Sequence, residues 1–225
     1  MGVVIPAAGL GERMGGVKKP FVTLLGEPLL LHTLRPFLAH PDVTAVRIAL
    51  GAADAADPPS WLRKRDPRIA CVAGGESRTA SVRAALSALP EVDVVLVHDA
   101  ARPLVTRAIL DRCIAAVAGG GWVGAVAGWP ASDTLKQVDD DGRVVGTPDR
   151  RRIWHAQTPQ AFPRALLERA YAAWDGSEAT DDAALVERAG GTVVMIEGSP
   201  TNLKVTRPED VAVAEALLAI AAPAS

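Results

Sequence analysis

Residues 3–14 read VVIPAAGLGERM and join a short apolar run to a loop that contains two glycines. Three consecutive aliphatic residues that end at Pro6 predict a brief buried strand. In open α/β sheets, ligands bind beyond the carboxyl ends of the strands, in the loops that follow them. This stretch therefore predicts the first strand and loop of such a sheet, and the first place to look for a bound ligand.

Strand-like and helical patterns alternate downstream of this unit. Helices are predicted over residues 28–39, 77–89 and 106–118, and strands over residues 43–50, 69–72, 92–97 and 123–127. Later strands are predicted near residues 153–157, 192–196 and 203–205, and later helices near residues 163–174, 181–189 and 211–222. The order predicts an α/β fold, with a Rossmann-like, mainly parallel twisted sheet and helices on both faces. Residues 52–59 are expected to be loose, and no linker divides residues 1–225, so a single domain is expected.

Residues 132–152 break the alternation. Two β-like runs, residues 134–138 and 143–147, flank the acidic stretch DDDG at residues 139–142, which is a hairpin turn signal. An exposed two-stranded hairpin is only marginally stable alone. We therefore expect a protruding β-arm that lies against a partner subunit, and hence a homodimer.

Composition excludes several classes of protein. The 225 residues are 49% hydrophobic and 22% charged, which is typical of a globular domain, and the net charge of -2 predicts no bulk attraction to nucleic acid or membrane. Cys71 and Cys113 form no Cys-x-x-Cys pair, and two buried thiols in a reducing compartment are expected. We predict neither a signal peptide nor a membrane span, and therefore a cytoplasmic location.

The glycine loop fits neither common phosphate-binding fingerprint. Gly9 and Gly11 match the start of the dinucleotide pattern Gly-x-Gly-x-x-Gly, but Met14 occupies its last position. Gly11 and Gly16 match the P-loop pattern, but Val17 stands where the lysine is required. A different kind of anion site must be considered.

The loop still contains the groups that bind an anion. Glycine allows backbone N–H groups to approach a phosphate closely. Arg13 can contact two phosphate oxygens, and either Lys18 or Lys19 can add a point charge. The alternative is an ordinary tight turn with solvated cations. The loop sequence alone does not decide whether a ligand binds here or which one.

Six segments, taken together, carry a family resemblance. They occur in the order PAAGLGERM (residues 6–14), GGESRTASV (74–82), VHDAARP (97–103), DTLK (133–136), WHAQTPQ (154–160) and NLKVT (202–206). This ordered set covers nearly the whole chain and resembles the 2-C-methyl-D-erythritol 4-phosphate cytidylyltransferases. These enzymes belong to the sugar-phosphate nucleotidyltransferases, so the resemblance implies a sheet of the nucleotide-diphospho-sugar transferase type.

The resemblance implies a reaction that suits the chain. The family transfers CMP from CTP to 2-C-methyl-D-erythritol 4-phosphate and releases pyrophosphate, in the non-mevalonate route to isoprenoid precursors. The nucleophile is a phosphate monoester whose second pKa is about 6, so it is largely dianionic at neutral pH and needs no general base. The reaction requires the orientation of two anions and the neutralisation of charge at the α-phosphate.

The resemblance also implies the residues of the site. The catalytic positions are Arg13, Lys19 and Lys204. The positions that contact CTP are Ala7, Ala8, Gly9, Gly11, Gly75, Arg78, Ser81, Asp99 and Ala100. The positions that hold the acceptor phosphate are Arg102, Thr134, Arg150, Thr158 and Lys204. Thr134 and Arg150 flank the predicted arm, so in this family they reach into the neighbouring subunit's site.

Asp99 is the implied ligand of Mg²⁺. It ends an apolar strand, where a lone carboxylate is costly unless it is paired or bound to metal. A salt bridge to Arg102 is the alternative role. Glu197 is the nearest candidate for a second metal ligand.

Three points stay open at the level of sequence. The spacing around Lys19 departs from the family pattern, so Lys18 remains a rival for the catalytic lysine. The acceptor could be a different polyol phosphate, such as ribitol 5-phosphate. The chain could also be a catalytically inactive, nucleotide-binding relative, although the joint presence of Arg13, Lys19, Asp99 and Lys204 speaks against that.

Overall fold

The structure, a computed structural model, describes residues 1–9, 18–119, 123–177 and 179–221. Its centre is a seven-stranded β-sheet. Its strands and those of two small hairpins are β1 (Gly2–Pro6), β2 (Thr23–Leu24), β3 (Glu27–Pro28), β4 (Ala45–Leu50), β5 (Ile69–Ala73), β6 (Val94–Val97), β7 (Val123–Pro130), β8 (Gln137–Val138), β9 (Val144–Gly146), β10 (Trp154–Pro163) and β11 (Thr192–Glu197). The helices are α1 (Leu29–Leu38), α2 (Ala52–Ala56), α3 (Ser60–Arg63), α4 (Arg78–Ser87), α5 (Arg107–Val117), α6 (Arg164–Ala172), α7 (Asp182–Arg188) and α8 (Pro208–Ala221).

The seven strands of the central sheet lie in the order β11-β7-β10-β6-β1-β4-β5. Pairs β1–β4, β1–β6, β4–β5 and β7–β11 are parallel, and β10 runs antiparallel to both of its neighbours. The prediction of a mainly parallel sheet is confirmed. The strand predicted near residues 153–157 is longer than expected, because the buried Ala161 and Phe162 extend its pairing with β6.

Helices cover both faces of the sheet, as the alternation predicts. Leu34 and Phe37 of α1 and Ile109 of α5 pack on one face, while Val82 of α4 and Leu167 of α6 pack on the other. Short polar side chains begin three of the helices: Ser77, Thr106 and Asp181 accept hydrogen bonds from the first turns of α4, α5 and α7.

Two local predictions are wrong. Residues 203–205 form no strand; Val205 is buried, and its N–H donates one hydrogen bond of 2.8 Å to the Ala101 carbonyl instead of joining a ladder. Residues 52–59, expected to be loose, contain the short helix α2, because alanine-rich sequence has high helix propensity. The predicted C-terminal helix begins earlier than expected, at Pro208, where proline suits a first helical position.

Residues 131–153 connect β7 to β10 and carry the hairpin β8–β9. Gly142 has a φ of +77°, and Asp139 Oδ1 accepts a hydrogen bond of 2.8 Å from the Arg143 N–H, which fits the predicted turn. The side chains of Val138, Val144 and Val145 are 52%, 60% and 59% exposed. The hairpin therefore presents apolar surface to solvent in the isolated chain. In the described ranges, no helix is both long and apolar enough to cross a bilayer.

Candidate active site

The first wall of the site forms where β1, β4 and β5 end. The Ala7 N–H donates to the Ala49 carbonyl at 2.8 Å, and the Gly74 N–H donates to the Leu50 carbonyl at 2.7 Å. A Cβ atom at Gly74 would lie 2.5 Å from the Ala8 Cβ, which is closer than real atoms approach. Glycine is therefore required for the two loops to meet, and the structure brings Ala8 against Gly74.

The Ser81 side chain stabilises the loop that follows β5, which contains Gly74 and Gly75. Its hydroxyl donates to the Ser77 carbonyl at 2.9 Å and accepts from the Gly75 N–H at 3.2 Å, and the side chain is buried. A Cβ at Gly75 would lie 2.5 Å from the Ala80 Cβ. Ser81 thus shapes the loop at the nucleotide positions that the resemblance implies, and it does so through contacts inside the chain.

Asp99 lies at the centre of a cluster of cations. It is 6% exposed, just beyond the end of β6. Arg78 Nε lies 3.0 Å from Asp99 Oδ1, Lys204 Nζ lies 2.6 Å from Asp99 Oδ2, and Arg102 Nε lies 3.9 Å from Asp99 Oδ2. Burial alone would raise the pKa of Asp99, but Arg78 and Lys204 outweigh it and hold that pKa below its usual range.

Thr158 and His98 fix the backbone of Asp99. The Thr158 hydroxyl accepts from the Asp99 N–H at 3.0 Å and lies 3.0 Å from His98 Nδ1. His98 Nε2 faces the Arg102 carbonyl at 3.1 Å, and since a carbonyl only accepts, Nε2 carries the proton and Nδ1 accepts from Thr158. Burial lowers the pKa of His98 to about 4, so this neutral form holds at pH 7. The hydroxyl of Thr158 can therefore only accept a hydrogen bond from a ligand.

Asn202 ties the Lys204 segment to β10. Its side-chain amide donates to the Thr158 carbonyl at 2.9 Å and to Gln157 Oε1 at 3.2 Å, and its backbone carbonyl accepts from Arg102 Nη1 at 2.7 Å. Asn202 is fully buried. In the sequence, Asn202 is recognisable only as a polar residue inside one of the six segments. The sequence does not indicate which groups it contacts.

Arg78 has a second carboxylate partner that sequence reasoning missed. Arg78 Nη2 lies 2.9 Å from Asp182 Oδ2, and the Tyr171 hydroxyl donates to Asp182 Oδ1 at 2.5 Å. Burial would lower the pKa of Arg78, but Asp182 and Asp99 outweigh it and raise that pKa. An acidic residue in the first turn of a helix ordinarily offsets the helix dipole, so no local pattern indicates that Asp182 belongs to a site.

The remaining positions do not join this cluster. Gly11, Arg13 and the side chain of Lys19 lie outside the described residues. Thr134 and Arg150 are exposed on the segment that carries the hairpin, where Arg150 Nη1 donates to the Ser132 carbonyl at 2.5 Å. Among the described residues, neither forms a hydrogen bond or an ion pair with the Asp99 cluster.

Lys18 has a partner elsewhere. Its ammonium lies 2.5 Å from Asp54 Oδ2 of α2. Ala100 is buried, and its carbonyl accepts from the Thr33 hydroxyl at 2.8 Å. Glu197 is exposed at the end of β11.

A magnesium ion fits this site only together with anionic ligands. Within the described ranges, no group of three or more His, Cys, Asp or Glu side chains could hold a metal. Asp99 supplies a carboxylate whose pKa its cationic neighbours hold below its usual range, and each of its oxygens already has a cationic partner. Mg²⁺ commonly takes one or two carboxylates and completes its shell with substrate phosphates and water, a donor set that Asp99 can begin.

Comparison with known proteins gives a consistent result. Residues 1–220 match the family model described as IspD, 2-C-methyl-D-erythritol 4-phosphate cytidylyltransferase. A curated protein with that name from Xanthomonas euvesicatoria pv. vesicatoria is 44% identical over 216 residues, which are 93% of this chain and 81% of the relative. One from Stenotrophomonas maltophilia strain R551-3 is 45% identical over 216 residues, which are 92% of each chain.

Solved structures agree in the fold. The 2-C-methyl-D-erythritol 4-phosphate cytidylyltransferase from Thermus thermophilus has a TM-score of 0.79 and 38% identity, over 96% of this chain and 97% of the other. The 4-diphosphocytidyl-2C-methyl-D-erythritol synthase from Anaerococcus prevotii has a TM-score of 0.84 and 29% identity, over 97% of both chains. The similarity therefore extends over the whole sheet and its helices.

Proposed function

This chain belongs to the family of 2-C-methyl-D-erythritol 4-phosphate cytidylyltransferases, and we propose that its Asp99 cluster is where the family's reaction takes place. The enzyme transfers CMP from CTP to 2-C-methyl-D-erythritol 4-phosphate. It gives 4-diphosphocytidyl-2-C-methyl-D-erythritol and pyrophosphate, a step towards isoprenoid precursors by the non-mevalonate route.

The observation that carries the assignment of the site is the surplus of positive charge around Asp99. Arg78, Arg102 and Lys204 outnumber the carboxylates of Asp99 and Asp182 that they contact. A local excess of cations in a partly buried site attracts phosphate groups, even though the chain as a whole has a net charge of -2. The two substrates of this reaction are both phosphate esters.

The residues of the cluster orient the acceptor. Lys204 is 39% exposed and sits on a flexible stem, so it can exchange Asp99 Oδ2 for an oxygen of the incoming phosphate. Arg102 is held by the carbonyls of Asn202 and Ala156, and its positive charge attracts the same anion. The acceptor phosphate is already an anion at neutral pH, so no residue needs to remove a proton from it.

The nucleotide lies along the loops that follow β1 and β5. The backbone of residues 7–9 and Gly75 contacts the cytosine and ribose, Ser81 holds that second loop in shape, and Arg78 faces the nucleotide from the start of α4. Arg13 and Lys19 neutralise the charge that develops on the α-phosphate and on the departing pyrophosphate. Oriented cations of this kind supply most of the acceleration in phosphoryl and nucleotidyl transfer.

Asp99 holds Mg²⁺ in this proposal. The ion, when bound, offsets negative charge on the triphosphate and polarises its α-phosphate. Asp99 suits this role because its neighbours keep it ionised, and because Thr158 and His98 fix its backbone. Lys204 would then share the carboxylate with the ion or turn towards the phosphates, while Arg78 would keep its contact with Asp182.

The active enzyme is a homodimer whose arms, residues 132–152, complete each other's sites. Support comes from the three exposed valines of the hairpin and from the exposed positions of Thr134 and Arg150. A second copy would cover the valines and bring both polar residues to an acceptor. We place the enzyme in the cytoplasm, because the free thiols of Cys71 and Cys113 suit a reducing compartment.

A single assay tests the reaction. The protein is incubated with CTP, Mg²⁺ and either 2-C-methyl-D-erythritol 4-phosphate or ribitol 5-phosphate, and pyrophosphate release is followed. Release with the first acceptor and little with the second is expected. Release with ribitol 5-phosphate alone contradicts the acceptor, and CTP binding without release from either acceptor favours an inactive relative.

The loop lysines provide a matched pair of variants. Lys19→Ala should lower kcat by about a hundredfold, the usual cost of removing one charge-stabilising donor, with a smaller effect on CTP affinity. Lys18→Ala should have little effect, because Lys18 is paired with Asp54. A large loss from Lys18→Ala and none from Lys19→Ala would exchange the roles of the two residues.

A further inference from the structure

Asp182 is a buried carboxylate that the reaction described above does not use. It lies in the first turn of α7 and is 0% exposed. Placing a carboxylate in the interior is costly unless it is paired and hydrogen-bonded. Its two oxygens meet Tyr171 of α6 and Arg78 of α4, so three helices converge on this one group.

Asp182 is not needed to begin its helix. The neighbouring Asp181 caps α7 by accepting from the Ala184 N–H at 2.9 Å, and it also accepts from Gln160 Nε2 at 2.8 Å. Gln160 in turn accepts from the Ala183 N–H at 3.0 Å. The start of α7 is therefore secured by residues other than Asp182, and the charge of Asp182 acts on Arg78.

The guanidinium of Arg78 is fixed along two of its edges. Its Nε meets Asp99 Oδ1 at 3.0 Å and its Nη2 meets Asp182 Oδ2 at 2.9 Å. Among the described residues, no hydrogen bond or ion pair involves Arg78 Nη1, and the side chain is 26% exposed. Because the guanidinium is planar, the two carboxylates together determine where Nη1 points.

We propose that Asp182, supported by Tyr171, is a positioning residue for nucleotide binding: it holds Arg78 so that Nη1 faces CTP. The inference rests on the proposed function, in which Arg78 contacts the nucleotide. Asp182 itself touches no substrate. Without the charge of Asp182, Arg78 keeps one partner, Asp99, and the direction of its Nη1 is no longer fixed.

The test replaces Asp182 by its neutral isostere. Asp182→Asn should weaken CTP binding, measured by calorimetry without acceptor, by about tenfold, because it removes the charge of the ion pair that holds Arg78 Nη2. KM for CTP should rise to a similar extent, while KM for the polyol phosphate should change by less than about twofold. Asp181→Asn is the matched control, since it lies beside Asp182 and makes no contact with Arg78.

A coupling measurement separates positioning from a merely structural role. In an Arg78→Gln background, Asp182→Asn should cause no further loss of CTP affinity, because its effect passes through Arg78. Tyr171→Phe keeps the carboxylate and removes one hydrogen bond, so it should weaken CTP binding by about threefold. It also serves as the second variant if Asp182→Asn does not fold.

The outcomes are distinct from those that test the reaction itself. Unchanged CTP affinity in folded Asp182→Asn or Tyr171→Phe protein overturns the inference, and so do independent losses in the double variant. CTP binding by the wild type without turnover contradicts the proposed reaction and leaves the inference standing on the binding data. A wild type that binds no CTP overturns both.

Discussion

The Asp99 cluster and the hairpin segment, residues 131–153, differ in how many of their polar and apolar side chains find partners within one chain. In the cluster, every charged group has a partner inside the fold, and Asp99 and Asp182 are buried. In the hairpin segment, Val144 and Val145 are exposed, and so is Arg150, whose guanidinium donates to the Ser132 carbonyl.

The difference separates two ways of building a site. Buried ion pairs need accurate geometry, because an unpaired charge in the interior is costly, and a continuous sheet provides that geometry. Exposed ion pairs contribute little by themselves. The hairpin segment carries predicted site residues but buries none of them. Such a segment can contribute to a site when a partner subunit packs against it. Four predictions probe this contrast, from the largest expected effect to the smallest.

Asp99→Asn should affect both turnover and folding. Turnover should fall by about a thousandfold, since the cations lose their shared anion and the proposed Mg²⁺ loses its carboxylate. The free energy of unfolding should fall by about 3 kcal/mol, because Arg102 and Lys204 would lose the carboxylate that compensates their charge and Arg78 would keep only Asp182. Pyrophosphate release and urea denaturation give the two quantities.

The matched control for this variant lies in the hairpin. Asp141 forms an ion pair with Arg143 at an exposed position, so Asp141→Asn should not measurably change stability. Equal stability of Asp99→Asn and wild-type protein would show that the cluster does not depend on Asp99. A large loss from Asp141→Asn would remove the contrast between the two regions.

Acid should weaken the cluster through His98. Its pKa is lowered to about 4 in the folded protein from the ordinary value of 6.5. Below pH 6.5 the unfolded chain therefore takes up a proton that the folded chain refuses, so stability falls with pH until about 4. The loss is about 3 kcal/mol over that window, and none is expected from this group above pH 6.5.

Urea denaturation at a series of pH values measures this loss. His98→Asn has no group that titrates at this position, so its stability should vary less between pH 6.5 and pH 4. The hairpin segment contains no histidine and cannot contribute in this range. Parallel curves for wild type and variant would contradict the assignment of a neutral, buried His98.

Complementation between subunits tests the role of the arm. Arg150→Ala should raise KM for the acceptor by roughly thirtyfold, the loss of one charge-assisted hydrogen bond. Neither Arg150→Ala nor Asp99→Ala protomers contain a complete site when alone. Mixed in equal amounts and allowed to exchange, they should recover about a quarter of wild-type activity, since half of the dimers then carry one intact site.

Absence of recovery, in a mixture shown to form mixed dimers, would mean that Asp99 and Arg150 serve the site from the same chain. The crossed arm would then be wrong. Recovery well above the expected fraction would indicate that one of the single variants is not impaired in its own site.

The smallest expected effect concerns the apolar surface of the hairpin. Replacing both Val144 and Val145 by serine should raise the dimer dissociation constant by about tenfold, as buried methyl groups are lost. The free energy of unfolding of the monomer should change by less than about 0.5 kcal/mol, because both side chains are exposed there. Val213→Ser, at an exposed apolar position on α8, is the control, and analytical ultracentrifugation is the measurement.

Sequence patterns predicted most of the sheet because its parallel strands are short, continuous and apolar. They failed at residues 203–205, where three residues with a buried valine resemble a strand but make a single backbone hydrogen bond. They also left the direction of β10 open. The direction of β10 depends on how residues 131–153 connect it to β7. The hydrophobic pattern within a strand carries no information about that connection.

The residues of the site were likewise predicted only in part. The resemblance named Arg78, Asp99, Arg102, Thr158 and Lys204, and the structure places all five together. It did not identify Asp182 or the roles of His98 and Asn202. Their functions lie in contacts between segments far apart in the chain, and an aspartate in a helix's first turn has a sufficient local explanation.

The antiparallel strand β10 has a consequence for how this protein can be modified. Because β7 ends at Pro130 and β10 begins opposite it at Trp154, the chain leaves the sheet and returns to it at adjacent points. The tip of the hairpin, residues 139–142, can therefore be exchanged while Thr134 and Arg150 stay in place. Chimaeras with a foreign tip should keep their catalytic framework while changing which copies recognise one another, so this hairpin is a natural place to engineer obligate heterodimers.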